Sequence, residues 1–316
     1  MTVALFTLGG TISMAGSRRL TGADLTAAMP GLSDLGHEVA IQDVEKIPSA
    51  NLTAAKLLEV VNAASNAIAA GATGAVITQG TDTLEESAFL ADLVWPHQEP
   101  LVFTGAMRNP TLAGPDGPAN LLAALRVACS PAARDLGALV VFNEEIHAAR
   151  WVRKTHSTST ATFKSPNTGP LGHVVEDRVR VLTRPQRLDS LQGGADLNSI
   201  RVALYTVTMD DDGLLLQGLA DTHQGLVVAG YGVGHVPAAL APVLGELAAR
   251  IPVVLTSRTG AGSVVRNTYH SPGAETDLLR RGLVDAGFLD PYKARILLRL
   301  LLATNSGIAA GFEKYV

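Results

Sequence analysis

One cysteine, Cys129, stands in a chain of 316 residues, so no disulfide can close within it. Aromatic side chains are scarce at 4%, and charged ones make up 17%. The formal net charge of -4 offers no basic excess for phosphate contacts, which argues against nucleic-acid binding. No apolar run is long enough to span a bilayer. Ahead of the apolar segment Val3–Leu8 lie no basic stretch and no cleavage site, so a secretory leader is not expected. These absences lead us to expect a soluble, cytoplasmic protein. Familiar catalytic signatures are missing as well. There is no Walker A sequence, G-x-S-x-G elbow, H-E-x-x-H or C-x-x-C. The glycines 230, 232 and 234 miss the dinucleotide fingerprint, because the third comes one position early. Threonine and serine hydroxyls and Lys154 are the nucleophiles and bases that remain.

What is present is a hydrophobic content of 47% and 31 glycines, which suits an α/β protein with many short turns. The apolar runs Val3–Leu8, Ala75–Thr78, Leu101–Phe103 and Leu139–Phe142 read as buried strands. Small or polar residues follow each one. Ala/Leu-rich stretches at Leu52–Ala70, Leu84–Val94 and Ala119–Ala128 read as helices between them. Alternation of this kind predicts βαβ units and a parallel sheet, with all four strand ends on one edge. Thr11, Thr81 and Ala106 would then converge from distant parts of the chain. Around Thr183–Ser199 the composition turns to Arg, Pro, Gln, Asp and Gly, as in a linker. Beyond it a second α/β pattern runs through strand candidates at Arg201–Val207, Leu226–Ala229 and Val253–Leu255 to a helix at Pro291–Ala303. We therefore expect an N-terminal domain over 1–182, a linker over 183–199 and a C-terminal domain over 200–316.

The stretch Gln79-Gly80-Thr81-Asp82-Thr83 gathers the most chemistry. Gly80 breaks a strand, and Thr83-x-x-Glu86 matches a capping box at the start of a helix. Thr81 and Asp82 thus sit on a turn at a strand's carboxyl end, where open α/β sheets bind ligands. Each candidate has a plainer reading. Thr11 after Gly9-Gly10 is a common helix cap, Asp82 is a plausible N-cap, and a lone lysine is usually a solvated charge. The loop Ser13–Gly22 reads as exposed, either a lid or a solvated connection. Glu144-Glu145-Ile146-His147 suggests a surface position, or one behind a site, more than metal ligation. A threonine attacks only when a base takes its proton, and a lysine serves only as the free amine. Thr, Lys and Asp must meet for any of them to matter.

Longer motifs add a resemblance. Phe6-Thr7-Leu8-Gly9-Gly10-Thr11-Ile12 and Ile77-Thr78-Gln79-Gly80-Thr81-Asp82-Thr83-Leu84-Glu85-Glu86 resemble the two signatures of the bacterial-type L-asparaginases. Similarity continues through Phe103–Arg108, Asp116–Leu121, Asn143–Arg150, Lys154-Thr155-His156, Phe163–Asn167 and Gly169–Gly172. It covers nearly the whole chain. The resemblance implies a two-domain α/β fold. Its larger N-terminal domain has a parallel-type sheet with helices on both faces, and its C-terminal α/β domain is smaller. It implies hydrolysis of L-asparagine to L-aspartate and ammonia without metal or cofactor, in a homodimer or homotetramer whose sites the neighbouring subunit completes. Thr11 falls on the acyl-forming threonine. Thr81 and Lys154 fall on the second threonine and its lysine, and Asp82 on the carboxylate that completes this relay and binds the substrate ammonium. Ser49 falls on the serine that holds the α-carboxylate. Gly80, with the backbone around the threonines, would supply donors to an oxyanion. Ala50 and Ala106 complete the expected substrate contacts.

The chain departs from the family pattern in four places. Gln79 stands where many members have histidine, as in an actinobacterial-looking subset. Ala50 replaces a glutamine that helps bind the α-carboxyl end. The loop Ser13–Gly22 is short and lacks the tyrosine that closes over the first threonine. His235 and Tyr269 fall near positions where some members carry asparagine and glutamate toward the neighbouring site. Two rivals therefore stand beside the hydrolase. One is the ammonia-supplying subunit of a tRNA amidotransferase. The other is a catalytically silent amino-acid-binding protein.

Overall fold

The computed structural model describes residues 1–15, 18–27, 29–191 and 196–315. Contacts divide the chain into two units, Met1–Leu191 and Gln192–Val316. In the first, the order is β1 (Thr2–Thr7), β2 (Met14–Ala15), β3 (Arg18–Arg19), α1 (Gly22–Ala27), β4 (Glu38–Asp43), α2 (Ala54–Ala69), β5 (Ala75–Thr78), α3 (Leu84–Val94), β6 (Leu101–Thr104) and α4 (Gly117–Cys129). It continues through β7 (Ala138–Phe142), β8 (Glu145–Ala148), β9 (Arg153–Lys154), β10 (Phe163–Lys164), β11 (Gly172–Val175) and β12 (Arg178–Val181).

The apolar runs form the centre of an eight-stranded sheet, in the order β12-β11-β8-β7-β6-β5-β1-β4. From β4 to β7 the strands are parallel, so the ends of β1, β5, β6 and β7 lie on one edge, as expected. Strands β5, β6 and β7 are buried along their whole length, which is why they read as unbroken apolar runs. Alternate residues serve the two faces. Val3, Leu5, Val76, Val102, Leu139 and Val141 pack under Leu121, Ala124, Leu125 and Ala128 of α4. Ala4, Phe6, Ile77, Phe103 and Val140 are equally buried and point the other way, toward the side of α2 and α3.

Past β7 the sheet is mixed rather than parallel. Strands β8, β11 and β12 are each antiparallel to their neighbours. The cause is local. Asn143 and Glu144 take φ of 51° and 62°, and two consecutive positive-φ residues make a tight hairpin turn. No crossover helix separates β7 from β8, so a parallel pairing there is impossible.

The second unit carries β13 (Val202–Thr206), α5 (Leu219–Thr222), β14 (Gly225–Gly230), α6 (Leu240–Ala248), β15 (Val253–Ser257), α7 (Glu275–Arg280), β16 (Val284–Asp285), α8 (Pro291–Ala303) and α9 (Ile308–Tyr315). Its four strands are parallel in the order β13-β14-β15-β16. Helix α8 has the bounds expected from sequence. Asp290 caps it by accepting the N–H groups of Tyr292 and Lys293, and Pro291 occupies its first turn. Of the stretch read as a linker, Arg184, Arg187 and Leu191 bond to Ala132, Arg134, Trp95 and Leu93 of the first unit. Leu197–Ser199 forms a 3-10 turn in the second unit, and 192–195 lie outside the described residues.

The end of β1 meets the end of β5 through two glycines. Gly10 has φ 85° and ψ -175°, a region that is essentially glycine's alone. A β-carbon there would lie 2.3 Å from the Gly80 nitrogen. Gly10→Ala should therefore lower stability by about 1–3 kcal/mol in backbone strain, and by more through the clash. A urea midpoint equal to the parent's would show that the two turns do not meet this closely.

Candidate active site

Three strand-end turns converge on Thr81. The turn after β1 is held to Gly80 by the Gly10 approach, and Thr11 starts the short 3-10 turn Thr11–Ser13 there, half-buried. The turn after β6 arrives from the other side. A β-carbon on Gly105 would fall 2.6 Å from the Gln79 carbonyl oxygen and 3.3 Å from the Thr81 methyl group. Thr81 is 6% exposed, enclosed by the backbones of its neighbours.

Ser49 is stitched into the same turn. Its buried hydroxyl accepts the Asp82 N–H at 3.2 Å, and its carbonyl accepts the Thr83 hydroxyl at 3.0 Å. A hydroxyl that accepts still has a proton to donate, which suits a ligand carboxylate. This bonding alters the expected capping box. Thr83 occupies the N-cap position of α3 but makes no side-chain cap bond, because its hydroxyl is engaged by Ser49. Asp82 lies one residue before the cap, so it is not the N-cap either. Ala50 is exposed on the 3-10 turn Ser49–Asn51 and brings no polar side-chain atom. The methyl group of Ala106 belongs to the core with Ile12, which leaves its backbone as its contribution to a site. Gly80 is buried against Ser49.

Lys154 joins this group from β9, outside the eight-stranded sheet. Its Nζ lies 3.0 Å from Thr81 Oγ1 and 2.9 Å from Asp82 Oδ1. The lysine side chain is 17% exposed and the Asp82 side chain 65% exposed, so the hydroxyl lies inward and the carboxylate faces solvent. A nitrogen within bonding distance of a buried hydroxyl can take its proton once it is a free amine. The exposed carboxylate can pair with a ligand's ammonium group. Thr81, Asp82 and Lys154 therefore meet by side chain, while Thr11 joins them through the backbone contact of its own turn.

Two residues passed over as chemistry hold this arrangement. Asn120, 2% exposed, donates to the Gly105 carbonyl at 3.0 Å and accepts the Asn143 N–H at 2.9 Å, tying the ends of β6 and β7 together. Glu85, on the first turn of α3, accepts the backbone N–H of Lys154 at 2.7 Å. Both lie inside the long motifs. Those motifs were the available signal, because neither residue stands out by type or spacing.

The expected loop Ser13–Gly22 is pinned at its ends. Ser13 and Gly22 are buried, and Asp43 at the end of β4 accepts both the Gly22 N–H and the Thr7 hydroxyl. Strands β2 and β3 pair as a short hairpin within it, and Gly16 and Ser17 lie outside the described residues. His147 is fully buried rather than on the surface. Its Nδ1 lies 3.0 Å from Ser165 Oγ, and its Nε2 lies 3.3 Å from Glu145 Oε2 without hydrogen-bond alignment. In the second unit, His235 Nε2 lies 3.1 Å from Glu275 Oε2, and its ring meets Tyr269 edge-on at 4.8 Å. The backbone N–H groups of Thr268 and Tyr269 donate to the other Glu275 oxygen, so the pair forms one polar cluster. Among the described residues no group of three or more His, Cys, Asp or Glu is placed to hold a metal ion. Nor is any described helix long and apolar enough to cross a membrane.

A sheet with a parallel centre, whose strand-end turn brings a threonine and a carboxylate to a lysine from β9, is an arrangement suited to amide chemistry. Comparison with known proteins agrees with it. Residues 2–187 match the family Asparaginase, N-terminal, and residues 201–310 match the Glutaminase/Asparaginase C-terminal domain. The L-asparaginase of Bacillus licheniformis is 33% identical over 96% of this chain and 95% of its own length. A probable L-asparaginase of Deinococcus radiodurans is 34% identical over 95% and 92%. The crystal structure of a probable cytoplasmic L-asparaginase from Campylobacter jejuni superposes with a TM-score of 0.88 at 31% identity, covering 99% of both chains. The chain belongs to the bacterial-type L-asparaginase family, as an amidohydrolase of that family.

Burial pulls the His147 imidazole down from 6.5 to about 4, against the opposing pull of Glu145, and Lys164 and His173 add to the lowering. The folded protein thus holds a neutral ring that the unfolded chain would protonate near its ordinary value. Stability from this group is full above pH 6.5 and is lost as the pH falls toward about 4. Replacing His147 with Gln should flatten the urea midpoint across that window. An equally steep fall in the variant would assign the acid sensitivity elsewhere.

Proposed function

We propose that this chain hydrolyses L-asparagine to L-aspartate and ammonia through a covalent acyl-enzyme, with glutamine as a minor substrate. The observation that carries the proposal is the pair of contacts from Lys154 Nζ, 3.0 Å to Thr81 Oγ1 and 2.9 Å to Asp82 Oδ1. In this reading the Thr11 hydroxyl attacks the side-chain amide carbon, and ammonia departs after taking up a proton. Water then attacks the ester, releasing aspartate and restoring the threonine. Thr81 and Lys154, as the free amine, relay protons to and from the reacting groups. Asp82 receives the substrate's ammonium group and Ser49 its α-carboxylate. Backbone N–H groups near Gly80 and Thr81 face the developing oxyanion. With Ala50 in place of an amide side chain, the carboxylate end has one donor fewer, which favours a raised KM over a lowered kcat.

The same proposal takes residues 1–182 as the catalytic domain, 183–199 as linker and 200–316 as the C-terminal domain. It places the protein in the cytoplasm as a homodimer or homotetramer, in which the cluster of His235 and Tyr269 serves a neighbouring site. One relative at 33% identity, from Haemophilus influenzae, is described as periplasmic, so compartment varies among similar proteins. The actinobacterial-like grouping rests on Gln79.

Purified protein should release ammonia from L-asparagine faster than from L-glutamine. Thr11→Ala and Lys154→Met should each lower kcat by about 10³-fold or more, as loss of a nucleophile or its base does, with unchanged unfolding midpoints. Near-parental ammonia release from Thr11→Ala would remove that residue as nucleophile. Thermal stabilisation by L-aspartate without any ammonia release would favour the silent binding protein instead.

A further inference from the structure

Lys154 issues from a strand of two residues. Its ladder partner β10 is equally short, pairing Phe163 with Lys154 and Lys164 with Arg153. Beyond the ladder, the Thr155 N–H and hydroxyl both donate to the Thr162 carbonyl, at 2.9 and 2.8 Å, so β9 is fixed to β10. The lysine amine must also meet two atoms of the Thr81 turn within bonding distance, and a tie toward that turn comes from α3. Glu85 Oε2 accepts the backbone N–H of Lys154 at 2.7 Å, across 69 residues of chain. Hydrogen bonds to a carboxylate are shorter and stronger than neutral ones. Glu85 is 8% exposed, so water competes little for the bond. Helix α3 begins immediately after the turn that carries Thr81 and Asp82. The same helix start therefore presents a hydroxyl and a carboxylate to the lysine's side chain and holds the lysine's main chain.

We propose that Glu85 is a positioning residue for Lys154, setting β9 at the height where Nζ reaches Thr81 and Asp82 together. The proposal rests on the amidohydrolase reading of Thr81 and Lys154 given above. Misplacing a reacting group by about 1 Å costs on the order of 10²-fold in rate, so a β9 without its tie to α3 would leave a folded but slow enzyme.

The test compares Glu85→Gln, Glu85→Asp and Glu85→Ala with Lys154→Met in steady-state hydrolysis of L-asparagine. Each is assayed at a temperature where circular dichroism shows it fully folded. Glutamine keeps an oxygen at the right reach, so Glu85→Gln should retain kcat within about threefold. Glu85→Asp is one methylene short and Glu85→Ala has no acceptor. Both should lose about 10–100-fold in kcat, with KM within roughly twofold. Should Glu85→Ala fail to fold, the order of Gln above Asp decides. The proposal is overturned if Asp and Ala keep parental kcat, if Asp exceeds Gln, or if the losses vanish on cooling. A Lys154→Met enzyme with parental kcat would overturn the underlying reading, and this proposal with it. An inactive Lys154→Met beside fully active Glu85 variants overturns this proposal alone.

Discussion

Everything at the site depends on the missing β-carbons of Gly10 and Gly80. A methyl on Gly10 would lie 2.3 Å from the Gly80 nitrogen, and one on Gly80 would lie 2.5 Å from Ser49 Oγ. Side chains at either place would prop three chain segments apart: the start of the Thr11 turn, the Thr81 turn and the Ser49 turn. The glycines let backbone pack on backbone, and polar side chains then reach into a small common space. Gly105 repeats the device against Thr81 from the next strand.

Burial across the cluster is graded. Thr81 lies inside, Lys154 is mostly covered, and Asp82 is 65% exposed. An ion pair with one partner that open contributes little to stability. The pair between Lys154 and Asp82 is better understood as an arrangement for binding. Its carboxylate can be reached by an incoming cation without any opening of the core. Bonds that do stabilise the frame lie beneath it, in Asn120 between β6 and β7 and in Glu85 between α3 and β9.

The central strands were legible because they are buried on both faces, which leaves an unbroken apolar signature at Ala75–Thr78 and Leu101–Thr104. Helix α8 was legible because Asp290 and Pro291 mark its start. Strand β4 was not, since Glu38, Ala40, Ile41, Gln42 and Asp43 are exposed at the sheet's edge and carry no such run. The hairpin at Asn143-Glu144 was missed for a different reason. Its positive φ values belong to residues other than glycine, so the turn has no glycine to announce it. Within the site, Thr81 and Asp82 were visible as a strand-end turn. Their meeting with Lys154 was not, because no local pattern reports a contact across 73 residues. The capping box marked the start of α3 correctly, with Thr83 at the N-cap, but a tertiary partner, the Ser49 carbonyl, took the hydroxyl that local sequence would have assigned to the helix.

The order of strands has a consequence for synthesis. Strand β1 lies between β4 and β5, both of which follow it in the chain. This apolar strand is thus made before either neighbour, and it gains β4 only once Asp43 has been made and β5 only once Thr78 has. Until β5 is made at least one of its edges stays open, with Thr11 just behind it, and its sequence has to resist sticking to other nascent chains. Of the sheet's described strands β1 is the first to be made, yet it can be seated between its neighbours only after both of them exist.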